Sequence, residues 1–296
     1  MRPLVIAPIL ALAWGLNWPA VKIALGVFPP FTLRWVGLGL GGLLLMLLAW
    51  AQGRRLRPAP GAWLGIVMGG LLTVALFNMS TAMAQLNTST SRAAVLTFTM
   101  PMMSAVLARF WLGEQLDRRQ MLALGLGMAG IALLALPVLQ VLQSGGLDAR
   151  ALKGLGFPLL AAFGWACSTV LAKRWPAPGD RMVLTAWQLV LGAACIFIAS
   201  RWTDETFPPW PLPPKVLAAM IFHILPATAL AYWLWTLLSD QVGASVSSMT
   251  TLLVPVVGVL GAMWLVGDRP SAIDWLGFAM VLGGAALVLR QLWRKS

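Results

Sequence analysis

The chain reads as an all-α integral membrane protein, with ten transmembrane helices laid out as two inverted five-helix repeats around a central cavity. Three observations carry that reading. The 296 residues are 59% hydrophobic and only 10% charged, with mean hydropathy +0.83. A soluble domain carries about 25% charged residues, so this chain has too little polar surface to clothe a globule in water. Its apolar runs approach the ~20 residues a helix needs to cross a ~30 Å hydrocarbon core. Finally, motifs of the first half return in the second at a nearly fixed spacing.

Measured by that length, the spans are 3–25, 31–51, 61–84, 89–112, 119–141, 153–173, 181–202, 214–237, 242–266 and 273–292. Their runs are continuous rather than alternating, which favours helices over the strands of a membrane barrel. In the first span, Ala11-Leu12-Ala13 imitates a signal-peptide cleavage site. The apolar run continues past it and has an internal counterpart later, so it reads as a retained helix. The links are short and rich in Pro, Gly and charge; the longest polar one is "WTDETFPPWPLPP", about 202–214.

Basic residues orient the spans. Thirteen of the 21 Lys and Arg fall on the side that carries both termini and eight on the other, which predicts cytoplasmic termini in a bacterial inner membrane. The net charge of +12 is scattered just outside apolar runs, as at Arg54, Arg55 and Arg57. No basic face interleaved with aromatics is present, which excludes a nucleic-acid partner.

The repeat predicts the symmetry. Thr97-x-x-x-Pro101 with Gly113-Glu114 returns as Thr251-x-x-x-Pro255 with Gly267-Asp268, 154 residues on. Ser91 and Ser245, and Gly130 and Gly284, keep that offset. Nearer the start of each half the offset is 151, matching Trp14 to Trp165, Asn17 to Ser168 and Lys22 to Lys173. The expected units are 1–145 and 146–296. Five spans per half is an odd number, so the second half enters the membrane upside down, the plan of many secondary transporters.

The stretch "WGLNWP", Trp14 to Pro19, places an amide in an apolar run. An unpaired amide in hydrocarbon costs several kcal/mol, so Asn17 faces either a neighbouring helix or a watered cavity. Trp165 and Ser168 repeat an indole with a hydrogen-bonding group three residues on, along one helical face. Such indoles either stack on an apolar ligand or belong to an interfacial belt. Asn78, Tyr232 and Trp235 are further pocket candidates, with ordinary packing as the alternative. Pro101 and Pro255, each four residues after a threonine, mark kinks that serve as hinges or stay fixed.

His223 is the only histidine, either a proton shuttle or a packed hydrogen-bonding residue. The nine carboxylates all fall in links or at span ends, which removes the usual buried coupling group. Glu114 and Asp268 are expected to organise loops by pairing with nearby Arg. Lys22, Arg34 and Arg92 either snorkel or, if one points inward, meet a ligand carboxylate. Cys167 and Cys195 lie in separate apolar runs without metal spacing and read as small packing residues, so no cofactor or metal is expected. A membrane enzyme would need a nucleophile–base pair or metal cluster, and a channel a ring of charges; neither pattern is present.

The segments "STAMAQLNTSTSRAAVLTFTMPMMSAVLARFWLGEQLDRRQMLALGLGMAGIALL" and "SMTTLLVPVVGVLGAMWLVGDRP" resemble the EamA repeat of the drug/metabolite transporter superfamily. The resemblance covers nearly the whole chain. It implies ten helices in two inverted halves around a cavity, and metabolite export. Within the family, "WGLNWP" looks most like YddG-type aromatic amino-acid exporters. The implied activity is secondary export of small amphipathic metabolites, foremost aromatic or other hydrophobic amino acids, by alternating access; other metabolites or drugs on the same fold are the alternative. The expected partners are a small-molecule substrate and the lipid bilayer, with monomer and homodimer both open.

Overall fold

The computed structural model describes residues 3–116, 118–143, 148–238 and 253–295. Among the described residues every regular element is a helix: α1 (Pro3–Ala24), α2 (Pro30–Ala51), α3 (Trp63–Asn87), α4 (Thr90–Trp111), α5 (Arg118–Gln143), α6 (Ala149–Arg174), α7 (Arg181–Ser200), α8 (Pro214–Leu238), α9 (Leu253–Leu265) and α10 (Ala272–Lys295). Seven, α1–α4 and α6–α8, are long and apolar enough to cross a membrane. The other three contribute shorter apolar stretches, Met121–Leu136, Leu253–Leu265 and Ala272–Leu287.

Much of the exterior is apolar. On α2, Leu38, Leu45 and Ala49 are buried, while Leu40, Leu43, Leu47 and Trp50 are exposed. Water would not tolerate that much apolar surface, whereas lipid chains match it. The bundle is therefore built to be solvated by a bilayer.

Helix ends follow local chemistry. Pro30 opens α2, where a fixed φ is preorganised and the missing N–H costs nothing. The next amides are satisfied from far away: the Phe31 and Thr32 N–H groups donate to the Glu205 carboxylate at 3.1 and 2.8 Å, and the Thr32 hydroxyl adds a third bond at 3.0 Å. An anion there also meets the positive end of the helix dipole. Asp148 caps α6 and starts it at Ala149, ahead of the expected 153. Ser271 and Asp274 form a reciprocal cap on α10, each side chain accepting the other's backbone N–H.

The repeated Gly-acid pair has one structural role in both halves. Gly113 and Gly267 take positive φ, +69° and +74°, just past the ends of α4 and α9. The following amides then fold back, Glu114 N to the Ala108 carbonyl and Asp268 N to that of Ala262. This is a glycine helix stop in which the turned-back amide shares a last-turn carbonyl with Leu112 or Val266.

Two helices carry wide π turns at corresponding places, Gly69–Leu76 in α3 and Leu225–Leu230 in α8. Pro226 lacks the N–H for a regular turn, which favours the wider one. The loosened backbone is used by side chains: Asn78 Nδ2 donates to the Val74 carbonyl at 2.9 Å, and Thr228 Oγ1 donates to that of His223 at 2.7 Å.

Packing interleaves the halves. α2 lies along α7 and α5 along α10, while α1 packs on α8 and α9, and α6 on α3 and α4. When helix n is exchanged for its counterpart five along, α1–α8 and α1–α9 map onto α6–α3 and α6–α4, while α2–α7 and α5–α10 map onto themselves. Close approach of α1 and α9 depends on Gly15, where a Cβ would meet Val257 and, at 2.9 Å, the Val254 carbonyl.

Candidate functional site

α1 brings Trp14 and Asn17 to the packed interior, one turn apart and both half-buried. Asn17 Oδ1 lies 2.8 Å from His223 Nδ1 on α8. An amide oxygen only accepts, so Nδ1 carries the proton and donates. His223 is almost fully buried, and its Nε2 has no hydrogen-bond partner among the described residues. The ring fits because residue 37 is glycine: a Cβ there would overlap imidazole atoms Cδ2 and Nε2. Both Asn17 and His223 thus take part in a helix–helix contact.

Arg34, on the same helix as Gly37, is 2% exposed and does not snorkel out of the bundle. Its Nη2 donates to Thr81 Oγ1 of α3 at 2.9 Å, and Thr81 passes its own proton to the Asn78 carbonyl at 3.0 Å. Asn78 is tied to the π turn below it. Arg34 Nε is buried without a partner among the described residues. Tyr232 and His223 both lie within electrostatic range of the guanidinium. A polar cluster from α1, α2, α3 and α8 therefore sits inside the bundle.

The predicted aromatic residues gather beside it. The Trp14 ring meets Tyr232 edge-on at 5.7 Å between centroids and Trp235 at 5.6 Å. Trp165 of α6 meets Phe77 of α3 at 5.1 Å. Trp14 and Trp165 do not form a ring pair with each other, yet both pack on one buried patch of Ala11, Phe98, Met100, Ala162 and Val254. Ser168, one turn past Trp165, is half-buried.

The hinge candidates divide. α4 is broken at Phe98 and Thr99 into Thr90–Thr97 and Met100–Trp111, with Pro101 in the first turn of the second piece. Thr97 Oγ1 donates back to the Ala93 carbonyl at 2.8 Å. Pro255 is buried in the first turn of the described part of α9, and Thr251 lies outside the described residues.

Charged side chains at the helix ends fasten the bundle. At one end, Arg92 Nε meets Asp274 Oδ1 at 2.5 Å, and Ser91 donates from N and Oγ to Asp268 Oδ2 at 2.7 and 2.9 Å. Lys22 donates to the Gln85 carbonyl at the same end. At the other, Arg54 pairs with Asp180 at 2.5 Å and Lys173 with Glu114. The expectation that Glu114 and Asp268 pair with arginines is corrected: the packing brings Lys173 at the end of α6 to Glu114, and Ser91 at the start of α4 to Asp268.

Sequence reasoning missed the two π turns and the long-range cap from Glu205, and left open whether Arg34 points inward. The signals were faint: Gly69-Gly70, Pro226, and a glycine three residues after the arginine.

A lipid-solvated helical bundle that encloses a polar and aromatic cluster has the build of a multi-pass membrane transport protein. The family comparison agrees: the model of the EamA-like transporter family matches residues 1–136 and again 152–290, and the chain belongs to that family. Among curated relatives, the uncharacterized transporter YvbV of Bacillus subtilis (strain 168) is 26% identical over 97% of this chain and 91% of its own. A protein of Escherichia coli (strain K12) named "Probable amino-acid metabolite efflux pump" is 27% identical over 99% and 96%. A crystal structure with 21% identity covers 98% of each chain at a TM-score of 0.66, a likeness of fold.

Proposed function

We propose that the chain is a secondary transporter that exports small amphipathic metabolites, foremost aromatic or other hydrophobic amino acids, by alternating access. The observation that carries this reading is the shared seat of Trp14 and Trp165: one indole from each half packs on the same buried patch, beside the break in α4. Indoles there offer an apolar ligand two stacking walls, and Asn17, Asn78, Ser168 and Tyr232 offer hydrogen bonds to its polar end. The name of the Escherichia coli relative supports amino-acid metabolites as the substrate class.

The alternating motion rests on two inverted five-helix halves around a central cavity, with units near 1–145 and 146–296. Helix pairings that survive exchange of the halves support that symmetry. Segments around Thr97 and Pro101, and around Thr251 and Pro255, bend in turn. The excess of basic residues on the terminal side supports cytoplasmic termini in a bacterial inner membrane. Carboxylates at helix ends leave coupling to a proton gradient weak, with His223 the candidate for what coupling there is.

The test is uptake of labelled amino acids into liposomes holding purified protein, with and without a pH gradient. Phe, Trp and Met are expected to be transported with weak dependence on the gradient, with flux lost in Asn17→Leu and, at substrate concentrations below KM, reduced several-fold in Trp165→Ala. Equal transport by wild type and both variants would overturn the pocket. Transport of other metabolites but none of these amino acids would overturn the substrate class.

A further inference from the structure

We infer that Arg34 is the anchor for a substrate carboxylate, so that the transported molecule bears a free acid group; this rests on the substrate pocket proposed above and narrows what it takes.

The starting point is an electrostatic imbalance. A guanidinium keeps its proton at physiological pH, and a buried charge without a counter-ion carries a large desolvation penalty. Arg34 is 2% exposed, yet no carboxylate among the described residues pairs with it. Among the described residues its hydrogen-bond partner is the neutral hydroxyl of Thr81. By contrast Arg54, Arg92 and Lys173, all more exposed, each hold an acid. Among the described residues, the Lys or Arg best shielded from water has no carboxylate beside it.

What surrounds it favours an anion arriving from outside the chain. Arg34 Nε is buried and unpartnered, and so is Nε2 of His223, which is within electrostatic range. Tyr232, also within range, brings a phenolic O–H and touches the Trp14 indole edge-on. A planar fork of N–H donors matches a carboxylate in shape as well as charge. The cluster lies beside the aromatic walls, so one molecule with an acid at one end and an apolar group at the other would span both.

The experiment compares ligands that differ only at the acid. Purified protein in nanodiscs is given labelled tryptophan in competition with tryptophan, indole-3-propionate, tryptophanamide and tryptamine. The two acids are expected to compete at least tenfold better than the amide and the amine. In Arg34→Gln that difference should vanish, and Arg34→Lys should restore part of it. Thr81→Val, which removes only the hydroxyl that positions the guanidinium, should weaken acids a few-fold and leave tryptamine unchanged. Equal competition by tryptophan and tryptamine in the wild type overturns the inference while leaving an aromatic pocket intact, and needs no variant to fold. Discrimination that persists in Arg34→Gln also overturns it. Should no indole bind, the aromatic reading fails instead, and leucine against leucinamide then tests the acid requirement by itself.

Discussion

Asn17 on α1 and His223 on α8, 206 residues apart in the chain, meet at 2.8 Å across the bundle. Replacing Asn17 by Leu would strand the buried Nδ1–H of His223. Loss of a partner for a buried donor costs about 1–3 kcal/mol, so thermal unfolding in detergent should begin several degrees earlier. Gly37→Ala approaches the same bond from the other side, by pushing a methyl group into the imidazole. Both variants should lose stability together; an unchanged unfolding temperature in both would mean that the contact is not maintained.

The aromatic walls predict a selective loss. Ring contacts of this kind contribute about 0.5–1.5 kcal/mol beyond area burial. Trp14→Ala and Trp165→Ala should therefore raise the KM for an aromatic substrate several-fold, measured as initial uptake into liposomes. A small aliphatic substrate should be affected less, since it leaves the indoles partly unused.

Glu205 closes the start of α2 with three hydrogen bonds from a link more than 170 residues away. Glu205→Ala should cost about 0.5–2 kcal/mol, the range for loss of a helix cap. Glu205→Gln keeps an oxygen acceptor but loses the charge facing the helix dipole, so its effect on thermal unfolding should be smaller.

The Arg92–Asp274 pair joins α4 to α10, with Asp274 largely out of water. Asp274→Asn should loosen that end of the bundle by about 1–3 kcal/mol, since it also weakens the reciprocal cap with Ser271. A cysteine placed at the buried position Thr90, in a background lacking Cys167 and Cys195, should then react faster with a membrane-impermeant maleimide. No change in labelling rate would argue that this end stays shut without the pair.

Much of the architecture was legible residue by residue. Apolar runs located the helices, because a span's length follows from the thickness of hydrocarbon it must cross. The repeated Gly113 and Gly267 fall just past the expected spans 89–112 and 242–266, and both take positive φ, which only a residue without Cβ takes cheaply. Pro101 marked the broken fourth helix for the same local reason: a proline removes one N–H and clashes with the preceding turn. The π turns were not legible, because a wide turn is a compromise between neighbouring helices rather than a property of its own residues.

Arg34 shows where local reading stops. Its position early in α2 fits a side chain reaching either outward or inward, and nothing within a few residues decides between them. The sequence by itself determined an apolar helical chain, its helix stops and the doubling of its motifs, all consequences of spacing along one backbone. Only the tertiary structure decided that Arg34 turns to Thr81, that Asn17 meets His223 and that Trp14 and Trp165 share one seat. Those outcomes depend on which faces of helices far apart in sequence are pressed together, and in a medium without water each polar group must take whatever partner that packing brings within reach.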